Sequence, residues 1–340
     1  MDAVIESLRA NLLREDPPTG ALDIDDAAYF ASGLGGSGLK PALQSGQHWL
    51  AAQIKRALAD DKDDAGRRFG HAVHCLVLEP DEWGKRYAPP FRVGKVDASL
   101  TLYESGKEVA DRLRALKDDG HKVKVSGSNA DKLVELQAVE PGARYTSDLA
   151  ADYYREQGGR TILLEDEEAR ARAANAAVWE WHERWEAAGN RPILGGPTER
   201  AIAWVDESTG VYCRAKIDAV APDEHAWVDL KTVGRADDGF MAQVRSHEYG
   251  LQAAHYLDGY RTLTGQDRTP RWGWLCVEDQ PPHGVCLHWA DPEYLDRAYR
   301  RRRLCLDRIY EVLTRPDADV YPVEAMTVTL AAWERREEEE

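Results

Sequence analysis

The chain has 340 residues, of which 43% are hydrophobic, and its formal net charge is −16 at pH 7. This length and apolar content can supply a sizeable core, in one large domain or two small ones. The acidic charge argues against a protein whose whole surface attracts DNA, because affinity for phosphate backbones comes from basic surfaces. No run approaches the roughly 18 apolar residues of a membrane span, and charges interrupt the N-terminus where a signal peptide is apolar. We therefore expect a soluble intracellular protein with no membrane partner.

The N-terminal region, residues 1–36, is predicted to be mainly helical. IESLRANLLRE at 5–15 is amphipathic, and PPTG at 17–20 ends the pattern. A second helix is predicted over residues 37–59 and a third over residues 66–79. We assign residues 1–36 to an N-terminal helical segment that precedes the main domain.

The third helix carries a candidate metal ligand. At helical spacing, Phe69, Val73, Leu76 and Val77 form an apolar stripe that faces a core. His74 lies on another face, from which it can reach a pocket. Taken alone, a histidine between apolar residues is more often half-buried and hydrogen-bonded than bound to a metal. The helix by itself therefore leaves both interpretations open.

Residues 85–160 differ from their surroundings. They contain lysine-rich stretches, a predicted helix at 104–120 and a predicted loop at 121–132. We interpret the segment as an insertion that contacts DNA or as a subdomain, within a single domain over residues 37–330. The C-terminal residues 331–340 end in glutamates and are predicted to form a disordered acidic tail.

Three strands are predicted near residues 199–206, 211–220 and 226–233, because apolar and polar residues alternate there. The last two strands are joined by APDEHA, which is rich in residues that form turns. An antiparallel pair is therefore expected.

This pair brings candidate catalytic residues together. Alternation places Asp218 on one face with Arg214 and Lys216, and it places Asp229 and Lys231 on one side of the next strand. Pairing the two strands would then set Asp218 beside Asp229 and Lys231.

Two carboxylates and an ammonium group suit phosphodiester hydrolysis. Carboxylate oxygens hold Mg²⁺ or Mn²⁺, and the metal neutralises phosphate charge and lowers the pKa of a bound water. A lysine can orient that water or meet charge that develops on the phosphate. The simpler interpretation is a solvated sheet face on which aspartate and lysine pair, since D-x-K alone is a common pattern.

The helix predicted at 237–263 adds a further candidate. Gln252 and Tyr256 are one turn apart, so Gln252 can lean over the metal site while Tyr256 anchors it. The alternative is a packing helix with an exposed glutamine. Glu199, which begins the first strand, is either an outer metal ligand or an acid that contacts DNA.

Basic residues cluster on the last predicted helix, residues 294–313, which follows two predicted strands at 271–279 and 283–290. These arginines form either a solvated face or a surface that points into the DNA channel of a ring-shaped enzyme. The candidate DNA-binding residues, including two from earlier helices, are Arg300, Arg301, Arg303, Lys55 and Arg67.

The cofactor expectation follows partly from what the sequence lacks. The five cysteines are widely spaced in apolar contexts without a C-x-x-C pair, so we expect buried thiols and no zinc or iron–sulfur site. No glycine-rich loop with G-K-[ST] occurs, so we expect no nucleotide cofactor. Mg²⁺, with Mn²⁺ as a substitute, is the expected cofactor.

Four stretches, in this order, resemble the PD-(D/E)XK nuclease superfamily and, within it, the RecE-type exonuclease VIII group of phage recombination nucleases. SGLKPALQSGQHW is similar to the group's S-x-L-K helix entry, and GRRFGHAVHCLVLEP is similar to its G-x-x-x-H-x-L-x-L-E-P helix. The strands within residues 199–232 are the third stretch. YGLQAAHYLDGY is similar to the Q-x-x-x-Y helix, which borders the active centre in this superfamily.

The resemblance implies an α/β fold with a mixed, mostly antiparallel sheet flanked by helices, after a helical N-terminal region. It also implies that Asp218, Asp229 and the Leu230 carbonyl hold one metal ion and that His74 holds a second. Lys231 is implied to position or activate water.

The resemblance further implies an Mg²⁺-dependent exonuclease that digests linear double-stranded DNA from 5′ to 3′, leaving 3′ single strands for a RecT-like annealing protein. It implies a homo-oligomer, a ring-shaped tetramer, in the cytoplasm of a bacterial or phage-infected host cell. Two alternatives are a RecB-like or Cas4-like nuclease that prefers single-stranded DNA and a DNA-binding scaffold without turnover. The presence together of His74, Asp218, Asp229 and Lys231 counts against the scaffold.

Overall fold

The structure is a computed structural model, and the residues that it describes are 2–24, 26–57, 65–317 and 320. The predicted acidic tail at 331–340 lies outside the described residues, as does the predicted end of the second helix at residue 59. The chain divides into two compact units, one of residues 79–172 and one of the remaining residues. The segment predicted as an insertion or subdomain, residues 85–160, falls within the smaller unit.

The described chain contains both helices and strands. Short 3-10 helices lie at Gly36–Gly38 and Lys40–Leu43. The other elements, in chain order, are α1 (Asp2–Leu12), β1 (Gly20–Leu22), α2 (Asp26–Ala31), α3 (Gly46–Ala57), α4 (Ala65–Leu78), α5 (Trp83–Arg86), β2 (Tyr87–Ala88), β3 (Thr101–Tyr103), α6 (Gly106–Asp118), α7 (Asn129–Gln137), β4 (Ala143–Tyr145), α8 (Thr146–Glu156), β5 (Thr161–Ile162), α9 (Glu165–Ala187), β6 (Thr198–Val205), β7 (Tyr212–Val220), β8 (Ala226–Val233), α10 (Phe240–His247), α11 (Tyr249–Thr264), β9 (Arg271–Glu278), β10 (Val285–Trp289) and α12 (Pro292–Thr314).

Two predicted helices have different bounds in the structure. The helix expected over residues 37–59 begins as 3-10 helices and becomes α-helical at Gly46, because Pro41 has no N–H to continue a regular helix. The helix expected over residues 237–263 is divided into α10 and α11 by Glu248, which has a left-handed φ of 58°.

Two regions contain a helix or a strand that was not predicted. The loop expected at 121–132 includes the start of α7, where Ser128 forms a capping box with Asp131. The N-terminal region includes the strand β1, which pairs with β6 over only three residues. A strand of this length is too short for its alternation to be recognised in the sequence.

The larger unit contains a six-stranded sheet in the order β1-β6-β7-β8-β9-β10. The β8–β9 pair is parallel, whereas the other four neighbouring pairs are antiparallel. This confirms the predicted mixed, mostly antiparallel sheet.

Alternation along β7 separates a core face from a functional face. Cys213, Ala215 and Ile217 are fully buried, while Arg214 and the other polar residues on the opposite face are half-buried. The predicted period of two therefore holds for the strand that carries Asp218.

β7 and β8 pair over a short distance and then diverge. Their register pairs Ala219 with Val228 and Val220 with Trp227. Farther back along β7, the neighbour is the N-terminal segment, in which Leu34 forms a bridge to Cys213. The divergence opens a fork between β7 and β8, directly beside Asp218.

Helices α11 and α12 pack on each other at a small residue and through a buried arginine. Gly250 of α11 approaches Tyr294, whose hydroxyl accepts a hydrogen bond from the Gly250 N–H at 3.1 Å. Arg302 of α12 is only 3% exposed and forms ion pairs with Asp258 at 2.7 Å and with Asp206 at 3.5 Å. The arginine helix therefore directs part of its charge inward, which the sequence pattern did not predict.

The smaller unit has its own apolar core and two small parallel sheets, β2–β5 and β3–β4. Helices α6 and α7 contribute most of that core, and the buried residues are Tyr103, Val109, Leu113, Leu116, Val123, Leu133, Leu136 and Ala143. A separate core is what a compact unit of its own requires.

Four of the five cysteines are buried, and Cys286 is half-buried. Among the described residues, no helix combines the length and the apolar character that crossing a membrane would take.

We predict that Gly259→Ala destabilises the larger unit. An added Cβ would lie 2.6–2.8 Å from ring atoms of Trp204, which is fully buried and cannot easily move. Overpacking of this kind lowers the free energy of unfolding by about 1–3 kcal/mol. Urea unfolding followed by tryptophan fluorescence measures the change. The matched control is Gly234→Ala, where nothing lies within 4 Å of the added atom. Equal midpoints for the two variants would contradict the prediction.

Candidate active site

Asp218 lies at the fork, where its carboxylate replaces a missing backbone partner. Its Oδ2 accepts a hydrogen bond from the backbone N–H of Leu230 at 2.9 Å. In a continuous ladder that N–H would pair with the backbone of the neighbouring strand. The divergence of β7 and β8 therefore fixes the direction of this side chain.

Glu199 faces Asp218 from β6. The register pairs Thr198 with Ala219 and Arg200 with Ile217, which places Glu199 opposite Asp218. Glu199 has a φ of 50°, a left-handed conformation that is unusual for this residue type and occurs at functional sites. Its carboxylate forms an ion pair with Lys216 at 2.6 Å.

His74 reaches the same point from α4. Its Nε2 lies 2.6 Å from the carbonyl oxygen of Leu230. A carbonyl can only accept, so Nε2 carries a proton, and in the neutral imidazole Nδ1 keeps a lone pair. Nδ1 faces Oδ2 of Asp218 at 3.8 Å.

Asp229 is held by two side chains in the adjacent part of the site. Its Oδ1 accepts a hydrogen bond from Nε2 of Gln252 at 2.9 Å, and its Oδ2 lies 2.6 Å from Nζ of Lys231. The ammonium group also lies 5.2 Å from the centre of the Tyr249 ring. Asp229 is only 2% exposed, so these contacts neutralise a buried charge.

The electrostatics of the site disfavour negative charge on Asp218 and Glu199. Burial and then the charge of Asp229 raise the pKa of Asp218 well above its usual range. Burial and then the charge of Asp218 raise the pKa of Glu199. Burial lowers the pKa of His74, and the charge of Lys231 adds to this effect. A bound cation would relieve the crowding of carboxylates and suits a neutral imidazole.

Two of the same carboxylates keep Lys231 positively charged. Burial by itself would lower its pKa, but Asp229 and Asp218 more than reverse this and raise it above its usual value. The side chain therefore stays an ammonium ion at neutral pH.

The donor set fits a divalent cation. One ligand atom from each of His74, Glu199 and Asp218 lies within 4.8 Å of the others. Two ligands of one Mg²⁺ lie up to about 4 Å apart, twice a bond of about 2.1 Å. Small side-chain movements would therefore bring the three ligand atoms within bonding distance of one cation. Carboxylates suit Mg²⁺ and Mn²⁺, and imidazole is a common ligand of transition metals.

The structure brings the predicted catalytic and metal-binding residues into one region. They are His74, Asp218, Asp229, Leu230, Lys231 and Gln252. Glu199 had weaker support in the sequence, and the structure groups it with His74 and Asp218. The sequence pattern did not single out Tyr249 or Lys216 as site residues. For Lys216, the alternation that placed it on the face of Asp218 was the available indication.

The predicted DNA-binding arginines lie in different surroundings. Arg301 forms an ion pair with Glu248 at 2.6 Å. Arg303 forms ion pairs with Asp206 at 2.8 Å and with Asp307 at 3.0 Å. Arg300 is exposed, as are Lys55 on α3 and Arg67 on α4.

Residues 35–324 match the model of a family described as a PDDEXK-like domain of unknown function (DUF3799). The chain belongs to this family. The matched range contains every residue of the candidate active site, and the PDDEXK-like fold agrees with the predicted fold class. A crystal structure named "Putative exonuclease", from Eubacterium rectale, is similar over 91% of this chain and 97% of that chain, with 14% identity and a TM-score of 0.49. No curated protein matches the chain.

We predict that Asp218→Asn stabilises the protein when metal is removed by EDTA. A raised pKa means that the folded state loses stability as the pH rises from about 4, the usual carboxyl value, through the raised value. The amide oxygen can still accept the Leu230 N–H, but it carries no charge. At pH 8 the free energy of unfolding should rise by about 1–2 kcal/mol, and the gain should shrink as the pH is lowered.

Thermal unfolding of the parent and Asp218→Asn at several pH values tests this prediction. In the same assay, Mn²⁺ should raise the melting temperature of the parent and have little effect on the variant. A variant less stable than the parent at pH 8 in EDTA would contradict the electrostatic description of the site.

Proposed function

We propose that this PDDEXK-like protein is a metal-dependent DNA exonuclease. The observation that supports this most strongly is the convergence of Glu199, Asp218 and His74 beside the Asp229–Lys231 pair at the fork. Such a group can hold a hard cation and keep an ammonium group next to a phosphate. A solvated face of the sheet would have no need to bury Asp229 or to raise the pKa of Asp218.

The proposed roles follow from where the side chains lie. Asp218, Glu199 and His74 would hold one divalent cation. Asp229 and the Leu230 carbonyl, together with Asp218, would hold the other of the two ions that the motif resemblance implies. When bound, Mg²⁺ supplies positive charge that polarises the phosphate and makes water easier to deprotonate.

The remaining residues position charge and orient one another. Lys231 would direct its ammonium group at the attacking water or at the phosphate oxygens. Gln252 would keep the Asp229 carboxylate in place through the hydrogen bond to Oδ1. The Lys231–Asp229 ion pair and the Gln252 hydrogen bond are already formed within the protein, so little reorganisation is needed when substrate binds.

The finer parts of the proposal are supported by the motif resemblance to the RecE-type group. They are 5′ to 3′ digestion of linear duplex DNA, 3′ single strands passed to a RecT-like annealing protein, a ring-shaped tetramer and a cytoplasmic location. Arg300, Lys55 and Arg67 are the exposed residues among the proposed DNA contacts. Arg301 and Arg303 would first have to exchange their carboxylate partners for phosphates.

We predict that DNA cleavage requires Mg²⁺ or Mn²⁺ and stops with EDTA, because carboxylates hold these cations. Ca²⁺ should support binding with little cleavage. Asp218→Ala, Asp229→Ala, Lys231→Ala and His74→Ala should each reduce the cleavage rate by about a hundredfold or more.

The control for these variants is Asp223→Ala, which removes an exposed carboxylate in the turn between β7 and β8. It should cleave at the parent rate. Circular dichroism must show that each variant is folded. Robust digestion in EDTA, or a folded His74→Ala protein with full activity, would contradict the assignment.

We also predict that linear duplex DNA is degraded from its ends and that nicked circular DNA persists longer. A duplex labelled at one 5′ end should release its label as short products from the start of the reaction. Faster digestion of single-stranded DNA would favour the RecB-like or Cas4-like alternative. DNA binding without any cleavage in Mg²⁺ or Mn²⁺ would favour the scaffold.

A further inference from the structure

Arg214 lies on the face of β7 that carries Asp218, and it has no anionic partner among the side chains that the structure describes. Alternation places it with Lys216 and Asp218 on that face. Its Nε and Nη1 are buried, and neither has a hydrogen-bond partner among those side chains. Lys216, two residues farther along, has the carboxylate of Glu199 at 2.6 Å. Burying a cation without a counter-anion costs free energy, so the position calls for an explanation.

Two aromatic residues of α2 lie against the guanidinium group. Its central carbon lies 4.4 Å from the centre of the Tyr29 ring and 5.2 Å from that of Phe30. Such contacts attract a cation but do not satisfy its N–H donors. Tyr29 is 5% exposed, whereas Phe30 is 65% exposed. The protein thus places a large apolar ring in solvent directly beside an unsatisfied arginine.

The backbone fixes this arrangement relative to the metal-binding residues. Leu34 donates its N–H to the carbonyl of Tyr212 at 2.9 Å and accepts from the N–H of Arg214 at 3.0 Å. Arg214 and Asp218 are four residues apart on one strand, or about 13 Å at a rise of about 3.3 Å per residue. A nucleic-acid strand advances about 3.4 Å per nucleotide when stacked, so this distance spans a few nucleotides.

A second arginine contributes positive charge near Arg214. Burial lowers the pKa of Arg214, nearby tyrosines oppose this effect, and the charge of Arg56 on α3 adds to it. Arg56 is itself exposed. An anion at this point would therefore meet more than one positive charge.

We propose that Arg214 binds a phosphate of a single-stranded DNA segment a few nucleotides from the metal-binding residues, and that Phe30 stacks on an unpaired base of that segment. The inference rests on the proposed function. The phosphate supplies the missing anion, and the base covers the exposed ring, as in other sites for single strands that combine cations with aromatic side chains. Helix α2 precedes residues 35–324, so the aromatic half of this subsite lies outside the range that matches the family model.

The test is binding of a fluorescent single-stranded oligonucleotide, measured by anisotropy in EDTA at several salt concentrations. Arg214→Gln should weaken binding about tenfold and reduce the slope of log affinity against log salt by about 0.7, the value for one lost phosphate contact on a single strand. Phe30→Ala should weaken binding about tenfold without changing the slope, because stacking releases no counterions. Arg214→Lys should retain the slope.

Two further comparisons sharpen the test. On an oligonucleotide without bases, Phe30→Ala should bind like the parent, whereas Arg214→Gln should still bind more weakly. The controls are Arg261→Gln, where the guanidinium lies 4.4 Å from the Tyr299 ring, and Tyr310→Ala, which removes a ring that is 42% exposed. Both should bind like the parent.

The proposed subsite is overturned if the parent cleaves DNA while Arg214→Gln and Phe30→Ala both bind single-stranded DNA with the parent's affinity and salt dependence. Should Arg214→Gln fail to fold, Phe30→Ala on strands with and without bases decides the matter, since that ring is on the surface. A folded parent that neither binds nor cleaves DNA would instead overturn the proposed function itself.

Discussion

The divergence of β7 from β8 is the constraint on which the active site depends. It leaves the Leu230 N–H without a backbone partner, and the Asp218 carboxylate accepts that hydrogen bond at 2.9 Å. The same carboxylate is thereby held close to Asp229 and opposite Glu199. Negative charge is concentrated where water is largely excluded, which raises the pKa of both Asp218 and Glu199. A site of this kind is least stable without a cation, so the backbone geometry accounts for the capacity of the candidate site to hold one.

Two lysines limit the cost of this charge. Lys231 pairs with Asp229 and Lys216 pairs with Glu199, each at 2.6 Å. Both lysines lie on strands, so their positions are set by the sheet and not by flexible loops. Their removal would leave a poorly solvated carboxylate without its partner. For this reason, loss of activity in a lysine variant indicates a catalytic role only when the variant is shown to be as stable as the parent.

The arginines show that the number of basic residues in a segment is a poor guide to how much of its positive charge the fold leaves unpaired. Helix α12 is rich in arginine, but Arg302 is buried and paired, and Arg301 and Arg303 each have a carboxylate partner. Arg214 stands in a far less basic stretch and has aromatic neighbours in place of carboxylates. The fold, and not the number of basic residues, therefore decides which arginines have a counter-charge.

The sequence by itself determined the five longer strands, β6 to β10, the faces of their side chains and most of the residues of the candidate active site. Strict alternation places Asp218, and then Asp229 with Lys231, on defined faces, because neighbouring side chains of a strand point to opposite sides. The tertiary structure alone decided that β7 and β8 diverge, that Glu199 faces Asp218 in a left-handed conformation, and that Leu34 and α2 bring aromatic rings to Arg214. Local patterns carry no information about which distant segment fills a gap beside a strand. They also could not show that Arg302 would be buried, since that depends on the positions of Asp206 and Asp258 in other elements.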